Sequence, residues 1–308
     1  MTKQLSLFPD SPLNLSNSLK AESLADFETT FNPVDEMLAA STRFRDNRNL
    51  IELLQFIARF PGYSAFNGLL LYTQNSSATF VATARSWKQK FGRRPNYDAQ
   101  PIAILAPMAP ILFVFDIQDT EGPAIPSTLL HPRGTQPQLL NKIYTNTQHN
   151  CTVHGVAVHE TTMGNGMTGT ASRITPALRK QHQGLELQND TSYLVLIDRT
   201  QPIEARYSSL VHELGHIFCS HLGIDRHAWW PEREDLNING EEIESDATAY
   251  LVCERLGLGV SSAKHLSNYI EMNHKLPVFS LNAVLQSVGY LEDMGKSRWK
   301  EPRRRRRQ

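Results

Sequence analysis

The sequence predicts a mixed α+β protein built from two domains. Three observations lead there. Apolar residues recur at both helical and strand spacings in each half of the chain, so neither class dominates. A stretch from Gln118 to Gln138, with prolines at 123, 126, 132 and 137 and glycines at 122 and 134, separates the halves. And 308 residues with 40% apolar content suffice for two modest cores. The expected organisation is a flexible arm over 1–30, a small α+β domain over 31–125, a linker over 126–144, a second domain over 145–295 and an arginine-rich tail over 296–308.

In chain order, residues 34–60 place Met37, Leu38, Ile51, Leu53, Leu54, Phe56 and Ile57 at helical spacings, and Pro61-Gly62 stops that helix. A second helix is expected from Ser64 to Gln74. Strands are expected at Phe80–Thr83, Ile102–Leu105 and Ile111–Phe115. In the second half, Thr152–Val158 and Tyr193–Ile197 read as strands around a glycine-bearing, loop-rich segment. Helices follow over about 205–222 and 241–256, with shorter ones up to Met294.

The 31 basic and 31 acidic residues cancel. Cys151, Cys219 and Cys253 form no C-x-x-C pair, and an odd count argues against a disulfide framework, so a reducing cytoplasm is expected. No basic stretch precedes an apolar run at the N-terminus, and no apolar run reaches the ~18 residues of a bilayer span, so neither a secretory signal nor a membrane partner is expected.

The most specific motif is His212-Glu213-Leu214-Gly215-His216. Histidines four apart on a helix project from one face and can grip one ion together. Glu213, next to the first, is placed as general base for an attacking water, and zinc is the expected cofactor. The strand-like Tyr193–Ile197 precedes this helix, and Gly215 admits another backbone close beneath it. A second helix opening Glu241-Glu242-Ile243-Glu244-Ser245-Asp246 can supply a third ligand. Glu242 and Asp246 are one turn apart, which suits a ligand plus a carboxylate that hydrogen-bonds a ligand histidine. Glu244 lies about 160° from Asp246 on the helical wheel. Glu242 is the expected ligand and Glu244 the alternative.

These residues carry a resemblance. His212–His216 followed by Glu242-Ile243-Glu244-Ser245-Asp246-Ala247-Thr248-Ala249-Tyr250 resembles the gluzincin pattern of ImmA/IrrE-like metallopeptidases, and more closely the ArdC-like antirestriction proteins of mobile elements. Ser245 stands where alanine is usual. The resemblance implies a zincin-like metallopeptidase fold for the C-terminal domain and protection of incoming DNA from restriction.

Between Arg43 and Arg94 nine basic residues face only Asp46 and Glu52, with aromatics interleaved. Positive charge follows a phosphate backbone and aromatic faces stack on unpaired bases, so this domain is expected to bind single-stranded DNA. Arg59, Tyr63, Asn67, Arg85, Trp87, Lys88, Arg93 and Arg94 are the expected contacts. The run Tyr63 to Leu71, then Gln74, Ala78–Thr83 and Ser86-Trp87, resembles the N-terminal single-strand-binding domain of the ArdC-like proteins.

Gln4-Leu5-Ser6-Leu7-Phe8 looks like the linear motif that bacterial proteins insert into the replicative sliding clamp, with Leu7 and Phe8 buried in an apolar pocket and Gln4 supplying a directional hydrogen bond; folding back onto its own domain is the alternative. Arg303–Arg307 is either a phosphate anchor or a solvated tail. The combined expectation is a single-stranded-DNA-binding zinc metallopeptidase acting on a DNA-associated protein, in antirestriction or at replication and repair. The alternatives are passive DNA protection with a structural zinc site, and a regulatory protease that cuts a repressor.

Overall fold

The computed structural model describes residues 47–106, 111–126, 135–164, 166–185, 187–223, 233, 236–259 and 276–299. Gln4, Leu5, Leu7 and Phe8, the start of the helix expected over 34–60 and the tail arginines Arg303–Arg307 lie outside the described residues. The chain is of mixed α+β class with small sheets. Its described residues divide into two compact units, 55–126 and 47–54 with 135–299.

The first helix, α1 (Asn47–Ala58), crosses that division and buries Leu50, Leu53, Leu54, Phe56 and Ile57. In the N-terminal unit α2 (Ala65–Gln74) starts at Ser64, whose hydroxyl accepts from the Asn67 N–H. Strands β1 (Val81–Ala82), β4 (Leu112–Asp116) and β3 (Ile102–Ile104) form an antiparallel sheet in the order β1-β4-β3, with Val81 opposite Asp116 and Ile102 opposite Val114. Between them α3 (Ala84–Phe91) is capped by the Thr83 hydroxyl and ends at Gly92 in the left-handed region. A two-stranded ribbon pairs β2 (Arg94–Pro95) with β5 (Thr120–Glu121). Phe56, Phe60, Leu71, Ala78, Val81, Ile102, Ile104 and Val114 make the core. The outer edge of β3 is closed by amide side chains: Asn67 brackets the Leu105 backbone at 2.9 and 3.0 Å, and Gln74, two helical turns on, brackets Ala103 at 2.8 and 2.9 Å. Both therefore act as a surrogate strand that blunts an edge.

The C-terminal unit holds a three-stranded sheet of order β6-β8-β7. Here β6 (Val156–Thr161) runs parallel to β8 (Tyr193–Asp198), and β7 (Gly169–Arg173) is antiparallel to it. Central β8 buries Tyr193, Leu194, Val195 and Ile197, the near-continuous apolar run of a strand covered on both faces. The helices are α4 (Pro137–Val153), α5 (Pro176–Gln181), α6 (Ile203–Phe218), α7 (Ile238–Arg255) and α8 (Leu281–Lys296). The last carbonyls of α8 are met by amides from α4, Asn146 on Gly295 at 3.0 Å and Asn150 on Met294 at 2.8 Å. Cys151, Cys219 and Cys253 are free and buried. No helix among the described residues is long and apolar enough to cross a membrane.

Three expectations are corrected. The linker expected over 126–144 gives way to helix at Pro137, because proline's fixed φ suits a helix's first turn. Thr152 belongs to the last turn of α4, and the strand begins at Val156. The glycine-bearing segment expected to be loop contains β7, and α3 occupies a basic stretch for which no element was expected.

Candidate metal centre

Helix α6 turns Tyr207, Leu210, Val211, Leu214 and Phe218 into the core. His212 and His216 lie on the opposite face, with 24% and 14% of their side chains exposed. Helix α7 packs against α6 and brings Glu242 over both histidines, its oxygens 3.7 Å from His212 Nε2 and 3.6 Å from His216 Nε2. The two Nε2 atoms are 3.3 Å apart, and the three donors all lie within 4.8 Å of one another. Two ~2.0–2.1 Å bonds at a tetrahedral angle put nitrogen ligands about 3.3 Å apart, so the donor set fits a tetrahedral divalent ion such as zinc.

The helices can meet so closely because Gly215 has no side chain. A Cβ there would stand 3.1 Å from Ser245 Cα on α7. Glycine has a second use at Gly169 on β7, where a Cβ would come within 3.1 Å of Glu213 Cγ and Oε1. Glu213 is thus wedged between its own helix and β7, and accepts from the Ala171 N–H. Burial pushes its carboxyl up to about 7, with His212 pulling the other way.

Each histidine has its other nitrogen engaged. Asp246 Oδ1 lies 3.1 Å from His212 Nδ1. Burial lowers His212, but the Asp246 hydrogen bond and charge outweigh it, and its pKa is raised. Burial lowers His216 to about 3, with His212 and His221 acting in the same direction. His216 Nδ1 meets His221 Nδ1 at 3.0 Å, and His221 Nε2 meets Glu244 Oε2 at 2.9 Å.

The placement of His221 is local backbone geometry. Ser220 has φ 63°, the only positive φ outside glycine among the described residues. The Ser220 N–H bonds the Ile217 carbonyl at 3.1 Å and the His221 N–H bonds the His216 carbonyl at 2.9 Å. These paired bonds are a Schellman cap, which folds the chain back over the last turn of α6. Serine in that conformation costs roughly 1–2 kcal/mol that glycine would avoid.

Glu244, the alternative ligand, does not join the cluster. Its side chain is wholly buried on another face of α7. The Arg233 guanidinium holds both its oxygens, Nη2 at 2.6 Å from Oε1, and the Ser280 N–H donates at 2.6 Å. Burial raises its carboxyl, but the hydrogen bonds from His221 and Arg233 outweigh burial and hold it below the usual range. Cys219, His221 and Glu244 also come close enough to suggest a second ion. The Arg233 guanidinium already balances that carboxylate, and Cys219 Sγ is 3.3 Å from Ser287 Oγ.

In the N-terminal unit four of the eight expected DNA contacts, Tyr63, Asn67, Trp87 and Arg93, are engaged within the fold. Trp87 is 0% exposed and donates its indole N–H to Phe115 O at 2.9 Å, so its face is packed against Phe80 and Phe91 and offers no stacking surface. Tyr63 is partly buried and donates to Val81 O at 2.9 Å, and burial pushes its phenol up to about 12. Asn67 is committed to β3. The Arg93 guanidinium donates to the carbonyls of Thr120, Gly122 and Pro123, pinning β5 and the residues that follow it. Arg94 is exposed and paired with Glu121 at 2.5 Å. Arg59, Arg85 and Lys88 are exposed, with Arg59 4.7 Å over the Phe56 ring. Among the described residues of this unit the exposed aromatic faces are Tyr97 and Phe113, which sequence reasoning passed over. Phe113 stands in a run of exposed Ile111 and Leu112, a break of strand alternation that was a usable signal.

Comparison of the chain with protein-family models, with curated proteins and with solved structures finds no match.

Proposed function

We propose that the C-terminal unit is a zinc-dependent, zincin-like peptidase of the gluzincin type and that the N-terminal unit holds single-stranded DNA. One observation carries the first half: His212, His216 and Glu242 converge on one point with a buried carboxylate, Glu213, beside them. A structural zinc site needs no such neighbour, which favours hydrolysis over passive protection. Zinc, when bound, supplies electrophilic activation of a carbonyl and of water at that point.

The chain's own residues supply the rest. Glu213 takes a proton from the attacking water and returns it to the leaving amine. Burial strengthens its hold on a proton, and a bound cation would act in the opposite direction. Strand β7 ends its sheet and runs past Glu213, so an extended peptide can pair along its outer edge with a carbonyl close to the histidines. That geometry asks for a locally unfolded segment rather than a folded surface.

For the N-terminal unit, Arg59, Arg85, Lys88 and Lys90 are exposed cations, and Tyr97 and Phe113 are exposed rings on which unpaired bases can stack. The resemblance to ArdC-like proteins supports a protein substrate associated with that strand, in antirestriction or in repair. The test is proteolysis by the zinc-loaded full chain of DNA-binding proteins, with and without single-stranded DNA, beside Glu213→Gln. Cleavage by the wild type alone supports the proposal. DNA protection without any cleavage refutes the peptidase.

A further inference from the structure

The metal-facing nitrogen of His212 is prepared by a carboxylate, Asp246, in direct contact with the other side of the ring. Among the described residues no carboxylate meets the other side of the His216 ring. Its Nδ1 meets a second imidazole, His221, which in turn meets Glu244. We infer that His221 is a positioning residue that transmits the acceptor character of buried Glu244 to His216 and so fixes which nitrogen of His216 faces the ion. This inference rests on the metal site proposed above.

Glu244 is held as an acceptor by the Arg233 guanidinium and the Ser280 N–H, so the His221 nitrogen that faces it, Nε2, is the one that donates. A neutral imidazole carries one N–H, which leaves His221 Nδ1 with a lone pair. Across the 3.0 Å contact His216 Nδ1 must then be the donor. The proton of His216 is thereby placed on Nδ1, and its Nε2 lone pair points at His212 Nε2 and Glu242, where the ion belongs. Two features mark the arrangement as built. Neither His221 nor Glu244 has any exposed side-chain surface, and Ser220 holds a left-handed backbone that brings His221 round to His216.

The test is cobalt(II) titration of the full chain, followed by visible absorption, for wild type, His221→Leu, His221→Gln and His221→Asn. Leucine removes both bonds. Glutamine offers an oxygen to His216 and an N–H to Glu244, whereas the shorter asparagine reaches one of them. The expected result is an affinity for cobalt lower by about 10- to 100-fold in the leucine variant, with an altered spectrum, and recovery of most of both in the glutamine variant. If the leucine variant does not fold, the glutamine–asparagine pair gives the same contrast, glutamine binding tighter. Wild-type affinity and spectrum in every folded variant would overturn the inference while leaving the site intact. So would an equal loss in all three. A wild-type chain that takes up no cobalt, and behaves like Glu242→Ala, would overturn the metal site itself and the inference with it.

Discussion

Gly215 and Ser245 mark the point where the helices carrying the candidate ligands touch, a Cβ on the glycine standing 3.1 Å from Ser245 Cα. Gly215 sits one residue before His216, and Ser245 one residue before Asp246, so any separation at this point moves the donors apart. Gly215→Ala gains up to roughly 1 kcal/mol of helix propensity but must displace packed backbone. The expected outcome is a weaker metal affinity by isothermal titration, larger than any change in the metal-free melting temperature. Unchanged affinity would show that α7 can slide without cost.

Glu242 and Glu244 should separate cleanly. Glu242→Ala removes a half-exposed carboxylate, so metal binding is lost while the metal-free protein melts as before. Glu244→Ala strands the Arg233 guanidinium in a largely buried place, and losing one partner of such a pair costs about 3–5 kcal/mol. Thermal melts in chelator check both. A metal-free Glu244→Ala protein as stable as wild type would contradict the packing described.

The pH dependence of peptide cleavage should follow Glu213. Burial holds its carboxyl up at about 7, and the ionised form is the one that accepts a proton. Activity is therefore retained above that pKa and falls as pH drops through it. A bound divalent cation favours the carboxylate, so the acid limb of kcat/KM should sit at or below about 7, with unit slope. Glu213→Gln should keep the metal and lose cleavage. A flat profile across that region would remove Glu213 from the proton transfer.

Ser245 carries a buried hydroxyl with no hydrogen-bond partner among the described residues. An unsatisfied buried polar group costs about 1–3 kcal/mol, so Ser245→Ala should be neutral or stabilising. Chemical denaturation reads it directly. A clear loss of stability would reveal a partner for that hydroxyl.

Trp87→Ala should destabilise the N-terminal unit by about 3–5 kcal/mol, as expected for emptying a core aromatic site. DNA affinity should instead respond to the exposed groups. Arg85→Ala with Lys88→Ala should flatten the salt dependence of single-strand binding. Tyr97→Ala or Phe113→Ala should weaken binding with the slope kept. Tight, salt-insensitive binding by the double variant would move the DNA site elsewhere.

The α+β class was legible in the sequence because periodicity and turn residues act locally. So was the grouping of Glu242 with His212 and His216, with Glu244 on another face of its helix, since spacing on one helix fixes which side chains share a face. What escaped were effects that need a third element. His221 is five residues past His216 and reaches it only through the left-handed Ser220. Arg233 neutralises Glu244 from a separate segment. Trp87 read as a binding aromatic because basic residues flank it, yet α3 turns the indole inward and the charges outward. Asn67 and Gln74 read as part of a binding run, but their amides close the edge of β3.

The three cysteines give the C-terminal unit its own reporter. They lie on α4, at the end of α6 and on α7, and all are fully buried. Burial pushes Cys219 and Cys253 up to about 12 and Cys151 higher still, so the native thiols are scarcely nucleophilic. A thiol reagent can modify them only when those helices open, and no cysteine in the N-terminal unit contributes background. The labelling rate thus measures how often this unit breathes, residue by residue when the modified peptides are identified. Because a bound ion would tie α6 to α7, loading the site should slow labelling at Cys219 and Cys253.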